Sequence, residues 1–337
     1  MPRALLVDLG GTNTRVATLS ARGRLGEPVY FASNELPGLA AALAAVHRDE
    51  RVLVVALAGP VHGARAQLTN VAYAVDAVAL GKTFGFERVV LVNDLLAHGL
   101  GLLTRQSFRA IGGGRVSLAR GPVAVVAAGT GLGEAVFERG PTGVLWGRAS
   151  EGGHGPFAPV FPIQMQYARF LAEEIGRPAS AEDALAGRGL GALYRFFLRQ
   201  GAREAAARRR AIEGAADPNE AVVRAALDKT SAVATRALYT YVAAFGAELR
   251  AVVLKHSAFG GVVLAGGLAS SLHAHWSTLG LRTSFAGTGP FTEQLAELPI
   301  AVADDTGSAL EGAAVLARDP EALHTSQYGV FVWNAAR

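Results

Sequence analysis

The chain has no cysteine, and only 18% of its 337 residues are charged and 7% aromatic. Without cysteine there is no disulfide, no cysteine-ligated zinc and no thiol nucleophile. The absence also fits a cytoplasmic protein. No apolar run approaches the roughly 18 residues that a membrane helix needs, so no membrane partner is expected. The N-terminus reads Met1-Pro2-Arg3 and enters an apolar strand without a small-residue cleavage site, so it is not read as a signal peptide. Charge of one sign is scarce too: 32 basic against 28 acidic residues leave a net +4. The densest basic run, with Arg203, Arg208, Arg209 and Arg210, has no interleaved aromatics. It reads as a solvated helix face, and no nucleic-acid partner is expected.

Half of the residues are apolar, which permits large buried cores, and the length suits two domains. Apolar runs at residues 4–9, 15–19, 28–32, 51–57 and 89–92 read as strands. The first two suggest a hairpin and the next a third strand. Residues 36–46, 75–84 and 95–103 read as helices. Strands alternating with helices imply a mixed or parallel sheet. The plan then restarts with strands at 123–127, 134–137 and 144–146, about 120 residues on. Residues 163–256 read as mostly helical, most clearly 225–254. Strands at 262–264 and 300–303 and a helix at 308–316 follow. The expectation is an α/β protein with a small domain at 1–104 completed by 305–318. A large domain with a helical insertion would occupy 105–304, and 319–337 would form a C-terminal extension.

Two turns carry the chemistry of phosphate binding. Asp8-Leu9-Gly10-Gly11-Thr12-Asn13 closes the first strand. Glycines let the backbone approach a phosphate and turn its N–H groups outward. Thr12 and Asn13 add side-chain donors, and Asp8 is an acceptor for Mg²⁺, directly or through water. Gly129-Thr130-Gly131 offers the same arrangement after the strand at 123–127. Neither turn matches the P-loop or the dinucleotide fingerprint, and each alone also reads as an ordinary glycine turn. A third strand runs into Gly266-Gly267, suited to an adenosine contact.

Asn93-Asp94 follows the strand at 89–92. A carboxylate at the carboxyl end of a sheet strand points to where such folds bind ligands. An Asp there can accept the proton of a sugar hydroxyl, help worth ~10²–10⁴ in rate. On the dipeptide alone, a helix N-cap before Leu95 is the stronger reading. In Glu151-Gly152-Gly153-His154 an acid and an imidazole flank two glycines, an acceptor–donor pair suited to neighbouring sugar hydroxyls; the competing readings are metal ligation, which lacks partners without cysteine, and an exposed polar turn. Glu182, in Ser180-Ala181-Glu182-Asp183, reads from the residues alone as part of a helix cap.

Taken together, DLGGTNTR (8–15), ALAGPV (56–61), LTN (68–70), LVNDLLA (91–97), AAGTGLG (127–133), EGGH (151–154), SAE (180–182), LAGRGL (185–190) and FGGVVLAGG (259–267) resemble the bacterial-type glucokinases of the sugar kinase/actin/heat-shock ATPase superfamily. The resemblance covers residues 4–317. It implies two ribonuclease-H-like (actin-like ATPase) α/β domains, with mixed sheets flanked by helices, hinged about a central cleft. It implies ATP and Mg²⁺ as cofactors, glucose as substrate and Asp94 as general base. Asn93, Glu151, His154 and Glu182 would then bind the sugar, with Asn70 as a further contact, which overrides the cap reading of Glu182. Asp8, Gly10, Gly11, Thr12, Asn13, Gly129, Thr130 and Gly131 would hold the phosphates and the metal, and Gly266 and Gly267 the adenosine. A homodimer is the expectation only because dimers are common in that family. The chain departs from it at Ser150, where Gly is frequent, and at Arg188, where Pro is more usual. The cysteine-rich zinc motif of the related repressor/open-reading-frame/kinase group is missing, which favours the glucokinase branch.

Three alternatives stay open at this point. A kinase for mannose, fructose or an N-acetylhexosamine would share the fold and the base, and a polyphosphate donor could replace ATP. A non-catalytic sugar-binding regulator would be expected to carry a DNA-binding module, for which the turn beginning at residue 8 leaves no room. An actin- or chaperone-like ATPase would not need EGGH.

Overall fold

The computed structural model describes residues 2–68, 73–105, 108–303, 307–325 and 328–335. In chain order the first elements are β1 (Ala4–Leu9), β2 (Asn13–Leu19), β3 (Val29–Ala32), α1 (Leu39–Val46), β4 (Val52–Leu57), β5 (Arg65–Gln67), β6 (Ala74–Asp76), α2 (Ala77–Phe84), β7 (Arg88–Asn93) and α3 (Asp94–Arg105). Next come β8 (Phe108–Gly112), β9 (Val123–Ala128), β10 (Leu132–Arg139), β11 (Leu145–Ser150) and a single 3₁₀ turn at Gly152–His154. Six helices follow: α4 (Pro162–Ile175), α5 (Ala181–Leu185), α6 (Arg188–Arg199), α7 (Ala206–Glu213), α8 (Pro218–Leu227) and α9 (Ala232–His256). The chain ends with β12 (Gly261–Ala265), α10 (Gly267–Ser271), α11 (Leu281–Ala286), α12 (Thr292–Glu297), β13 (Ile300–Ala303), α13 (Ser308–Arg318), β14 (Leu323–His324) and β15 (Val330–Asn334).

The fold is mixed α/β, and the chain divides into two compact units. One comprises Met1–Phe108, Ala135–Ala149 and Asp304–Arg337, the other Arg109–Glu134 and Ser150–Ala303. The first sheet has the order β15-β7-β4-β1-β2-β3. Its centre, β1, β4 and β7, is parallel, and β1 pairs antiparallel with β2, as the hairpin pattern suggests. Every residue of β4 is buried. Such a run is expected of a parallel strand covered on both faces, and each fully buried Val or Leu contributes about 1.5–3 kcal/mol. The second sheet has the order β14-β11-β10-β9-β12-β13-β8, with β9, β12 and β13 parallel.

Helix α13 lies against α3 at close range. A Cβ on Gly101 would fall 2.1 Å from the carbonyl oxygen of Ser308, and one on Gly312 would fall 1.7 Å from that of Ala97. Only glycine permits that backbone approach, and the contact fixes the helix that begins at Asp94. The segment 135–149 belongs to the same unit because Phe137 packs on Gly99 of α3, where a Cβ would lie 2.2 Å from its ring.

Several sequence expectations change. Residues 75–84 are not one helix: Ala74–Asp76 pairs antiparallel with Arg65–Gln67, and Asp76 then caps α2 by accepting from the Ala79 N–H at 2.9 Å. The helix expected over 225–254 is two. Lys229 adopts φ 54°, outside the helical region, and Ser231 starts α9 by accepting from the Ala234 N–H at 3.0 Å. The C-terminal stretch adds a strand to the first sheet. β15 pairs antiparallel with β7, and Trp333 covers Gly81 of α2. Among the described residues one helix, α9, is long and apolar enough to cross a membrane, against the expectation of none; 56% of that window is buried. Leu238, Tyr241, Phe245 and Leu249 form its buried face, the pattern of a core helix, which passes the same test.

Candidate active site

In the first unit, register places Arg15 of β2 directly opposite Asp8 of β1. The Arg15 guanidinium lies 3.3 Å from Asp8 Oδ2, and the Asp8 side chain is 20% exposed. The turn between the strands closes with the Gly10 N–H donating to the Asn13 carbonyl at 3.0 Å. Gly10 and Gly11 are half-buried, while Thr12 and Asn13 are exposed. Behind the turn stands a group that sequence reasoning missed. The Ser33 N–H donates to the Thr12 carbonyl at 2.9 Å, and the Ser33 hydroxyl donates to the Gly10 carbonyl at 2.7 Å. Thr14 Oγ1 lies 2.9 Å from Ser33 Oγ, and both side chains are buried.

At the end of β7 the two readings of Asn93-Asp94 separate by residue. The Asn93 side chain accepts from the Leu95 and Leu96 N–H groups at 3.1 and 3.2 Å, and its amide donates to the Gly59 carbonyl at 3.2 Å. Asn93 is therefore the N-cap. Asp94 is the first residue of α3, half-buried, with Oδ1 accepting from the Leu95 N–H at 2.8 Å. Negative charge is favoured at a helix N-terminus. Asn70 lies outside the described residues.

In the second unit, β9 and β12 pair in parallel so that Ala127 meets Ala265. The two glycine turns that follow these strands are thereby neighbours. Gly266 adopts φ 90° and ψ 166°, a region open essentially to glycine alone. A Cβ there would lie 2.5 Å from the Ala128 carbonyl oxygen. Gly267 is exposed at the start of α10, and Thr130 is exposed between half-buried Gly129 and Gly131. The turn closes with the Gly129 N–H donating to the Gly131 carbonyl at 2.9 Å.

Glu151 precedes the 3₁₀ turn and His154 ends it, both well exposed, with His154 Nε2 3.8 Å from Glu151 Oε2. Glu182 is not a cap. Ser180 caps α5 with Asp183 as its reciprocal partner: Ser180 Oγ accepts from the Asp183 N–H at 3.1 Å, and Asp183 Oδ2 accepts from the Ser180 N–H at 2.9 Å. Burial pushes the Asp183 carboxyl up, but donors from Arg177, Ser180 and Arg188 outweigh it and hold the group below the carboxylate range. Glu182 turns away from that cap. Its Oε2 accepts from the Leu132 N–H, and its Oε1 from Arg188, each at 3.1 Å.

A second acid escaped the sequence reading. Glu134 follows the 129–133 turn and is only 5% exposed. Burial, then the Glu248 charge, push its carboxyl up to about 7, against a lowering influence from Lys255. A Cβ on Gly152 would sit 2.1 Å from Glu134 Oε2, so this carboxyl packs directly on the Glu151–His154 segment. The polar position inside the apolar run of β10 was the available signal.

The fold is shared with solved sugar kinases. A glucokinase from Balamuthia mandrillaris, solved with glucose, superposes with a TM-score of 0.80 at 21% identity, covering 94% of each chain. A glucokinase of the ROK family from Streptomyces griseus, solved with glucose and AMPPNP, superposes with a TM-score of 0.63 at 19% identity, over 94% of this chain and 99% of that one. The Glucokinase family model matches residues 5–320, and the chain belongs to that family. Among its relatives the glucokinase of Ralstonia nicotianae is 30% identical, over 88% of this chain and 90% of its own.

Proposed function

We propose that this enzyme transfers the γ-phosphoryl group of ATP to D-glucose, forming glucose 6-phosphate and ADP, with Asp94 as the general base. The observation that carries the assignment of the base is the division of labour at the end of β7. Asn93 accepts from the Leu96 N–H and shares the Leu95 N–H with Asp94, so the helix keeps a cap without Asp94. Family membership supplies the reaction class.

In this reading the primary hydroxyl of the sugar gives its proton to the Asp94 carboxylate. Its oxygen forms a bond to the γ-phosphorus as the bond to the ADP oxygen breaks, in line. Asn93, Glu151, His154 and Glu182 hold the remaining hydroxyls, with Asn70 as a further contact. Positioning contributes alongside the base. The turns at 10–13 and 129–131 present N–H groups and hydroxyls to the phosphates, and Gly266 and Gly267 pass the adenosine. Asp8 suits Mg²⁺, which takes one or two hard carboxylates and keeps waters and phosphates as its other ligands. Arg15 engages Asp8 Oδ2, which favours contact through water. The metal would neutralise charge building on the transferred group. A cytoplasmic location and a homodimer belong to the same proposal and rest on the resemblance to the glucokinases alone.

Asp94→Asn tests the base while keeping size and shape. Glucose-dependent ADP release should fall by ~10²–10⁴, with nucleotide binding retained. Near-normal turnover in that variant overturns the assignment. A panel of hexoses in the same assay decides whether glucose, mannose, fructose or an N-acetylhexosamine is preferred.

A further inference from the structure

Helix α6 opens on an arginine. A cation in the first turn opposes the helix dipole, and the preceding Gly187 offers no side-chain cap. Arg188 is nevertheless held there, donating to Glu182 Oε1 and Asp183 Oδ1, each at 3.1 Å. The opposite oxygen of Glu182 accepts the N–H of Leu132, at the end of the second glycine turn, at 3.1 Å. The same segment grips the start of that turn, with the Gly187 N–H donating to the Gly129 carbonyl at 2.8 Å. Two buried tyrosines hold the segment from behind. The Tyr241 hydroxyl donates to the Leu185 carbonyl at 2.6 Å, and the Tyr167 hydroxyl to the Gly189 carbonyl at 3.0 Å. Glu182 is thus fixed between a guanidinium and a turn, with little freedom to swing.

This arrangement sets an electrostatic problem. A turn that is to receive phosphates has a carboxylate bonded to one of its N–H groups. Like charges at short range repel, more strongly where water is excluded. Two things offset the Glu182 charge: the guanidinium already present, and hydroxyl donors from a bound sugar. A carboxylate has about four acceptor sites, and two are used here, so sugar hydroxyls can be added without displacing Arg188.

We propose that Arg188 is a positioning residue that locks Glu182 onto the Leu132 N–H, and that through this bond sugar binding and nucleotide binding favour one another. The inference rests on the reading of Glu182 as a sugar ligand and of the 129–132 turn as a phosphate ligand. Sugar donors draw charge from Glu182, weaken its hold on the Leu132 N–H, and leave that dipole to a phosphate oxygen. The coupling is reciprocal, so nucleotide tightens sugar by the same factor.

The test is a calorimetric titration of AMPPNP with Mg²⁺, with and without saturating glucose, on wild type, R188Q and R188K. Wild type should bind the nucleotide about tenfold more tightly with glucose, within the 5–150-fold span of such couplings. In R188Q the factor should fall to near one. R188K keeps the charge, but on a compact, strongly hydrated ammonium in place of the Nη2 group that donates to both carboxylates, and should lie between. A coupling factor is a ratio on one protein, so loss of folded fraction does not imitate its collapse. If R188Q does not fold, R188K decides alone, and an intermediate factor supports the proposal. An unchanged factor in either folded variant overturns it, as does a wild type with no coupling. A wild type that binds nucleotide but no glucose removes the sugar reading itself, which is a different failure.

Discussion

The turn at residues 10–13 is braced by uncharged groups, whereas the turn at 129–132 is braced by a carboxylate and a guanidinium. Behind the first stand Ser33 and Thr14, both fully buried, passing hydrogen bonds to the Gly10 carbonyl. Behind the second stand Glu182 and Arg188, with Glu134 following in the strand. Similar glycine turns, each closing a central strand, are thus supported by different chemistry. A hydroxyl brace fixes geometry and is indifferent to pH and to nearby charge. A charged brace fixes geometry too, but it also responds to whatever donors or anions arrive, which is what a site sensing two substrates requires.

The largest expected effect is steric and falls on Gly266, in the turn after β12, which packs on the carbonyl just before the 129–132 turn. Gly266→Ala places a methyl 2.5 Å from the Ala128 carbonyl, in a backbone conformation that non-glycine residues avoid. Strain and overpacking together cost about 2–4 kcal/mol, read as a fall in the urea midpoint. Gly10→Ala meets only the Asn13 carbonyl at 3.2 Å, and its φ is not positive. It should cost far less. Equal costs would mean that both turns are held with the same rigidity, and the comparison would fail.

Ser33→Ala comes next. It leaves the buried Thr14 hydroxyl and the Gly10 carbonyl each short of a partner, at about 1–3 kcal/mol. If the first turn holds only phosphate, the KM for ATP should rise while that for glucose stays at the wild-type value, across the pH range. A parallel rise in both would show that the hydroxyl brace reaches the sugar as well.

Much of this architecture was legible in the sequence. Strands such as 4–9 and 300–303 were bounded by glycine turns or apolar contrast and fall where the pattern put them. What failed was short or tertiary in origin. Three-residue strands such as Ala74–Asp76 are too brief to show a period. The break at Lys229 depends on one residue's φ rather than on a breaker residue. At the candidate site the residue types were readable but their partners were not. In SAED the capping-box spacing puts Asp183, three residues after Ser180, at the closing position, although Glu182 reads from the residues alone as part of the cap. Ser33 was invisible because a serine 19 residues from Thr14 becomes its partner only through the β2–β3 pairing.

The smallest expected effect tests the charged side of the comparison most directly. Glu134 is pushed up to about 7, by burial first and the Glu248 charge second. In the unfolded chain such a group titrates near the ordinary glutamate value of about 4.3. Between these values the native state keeps a proton that the unfolded chain has released. Stability must therefore fall as pH rises through this window, and level off above about 7. Across pH 6 to 8 the loss is on the order of 1 kcal/mol. Glu134→Gln removes that titration. Burial raises Glu248 as well, a contribution of the same sign. Urea midpoints for wild type and E134Q across this range should converge at low pH and separate at high pH, with the variant the more stable. Curves that run parallel would mean that Glu134 titrates alike in both states, and the second unit's brace would then be no more sensitive to pH than the hydroxyl pair of the first.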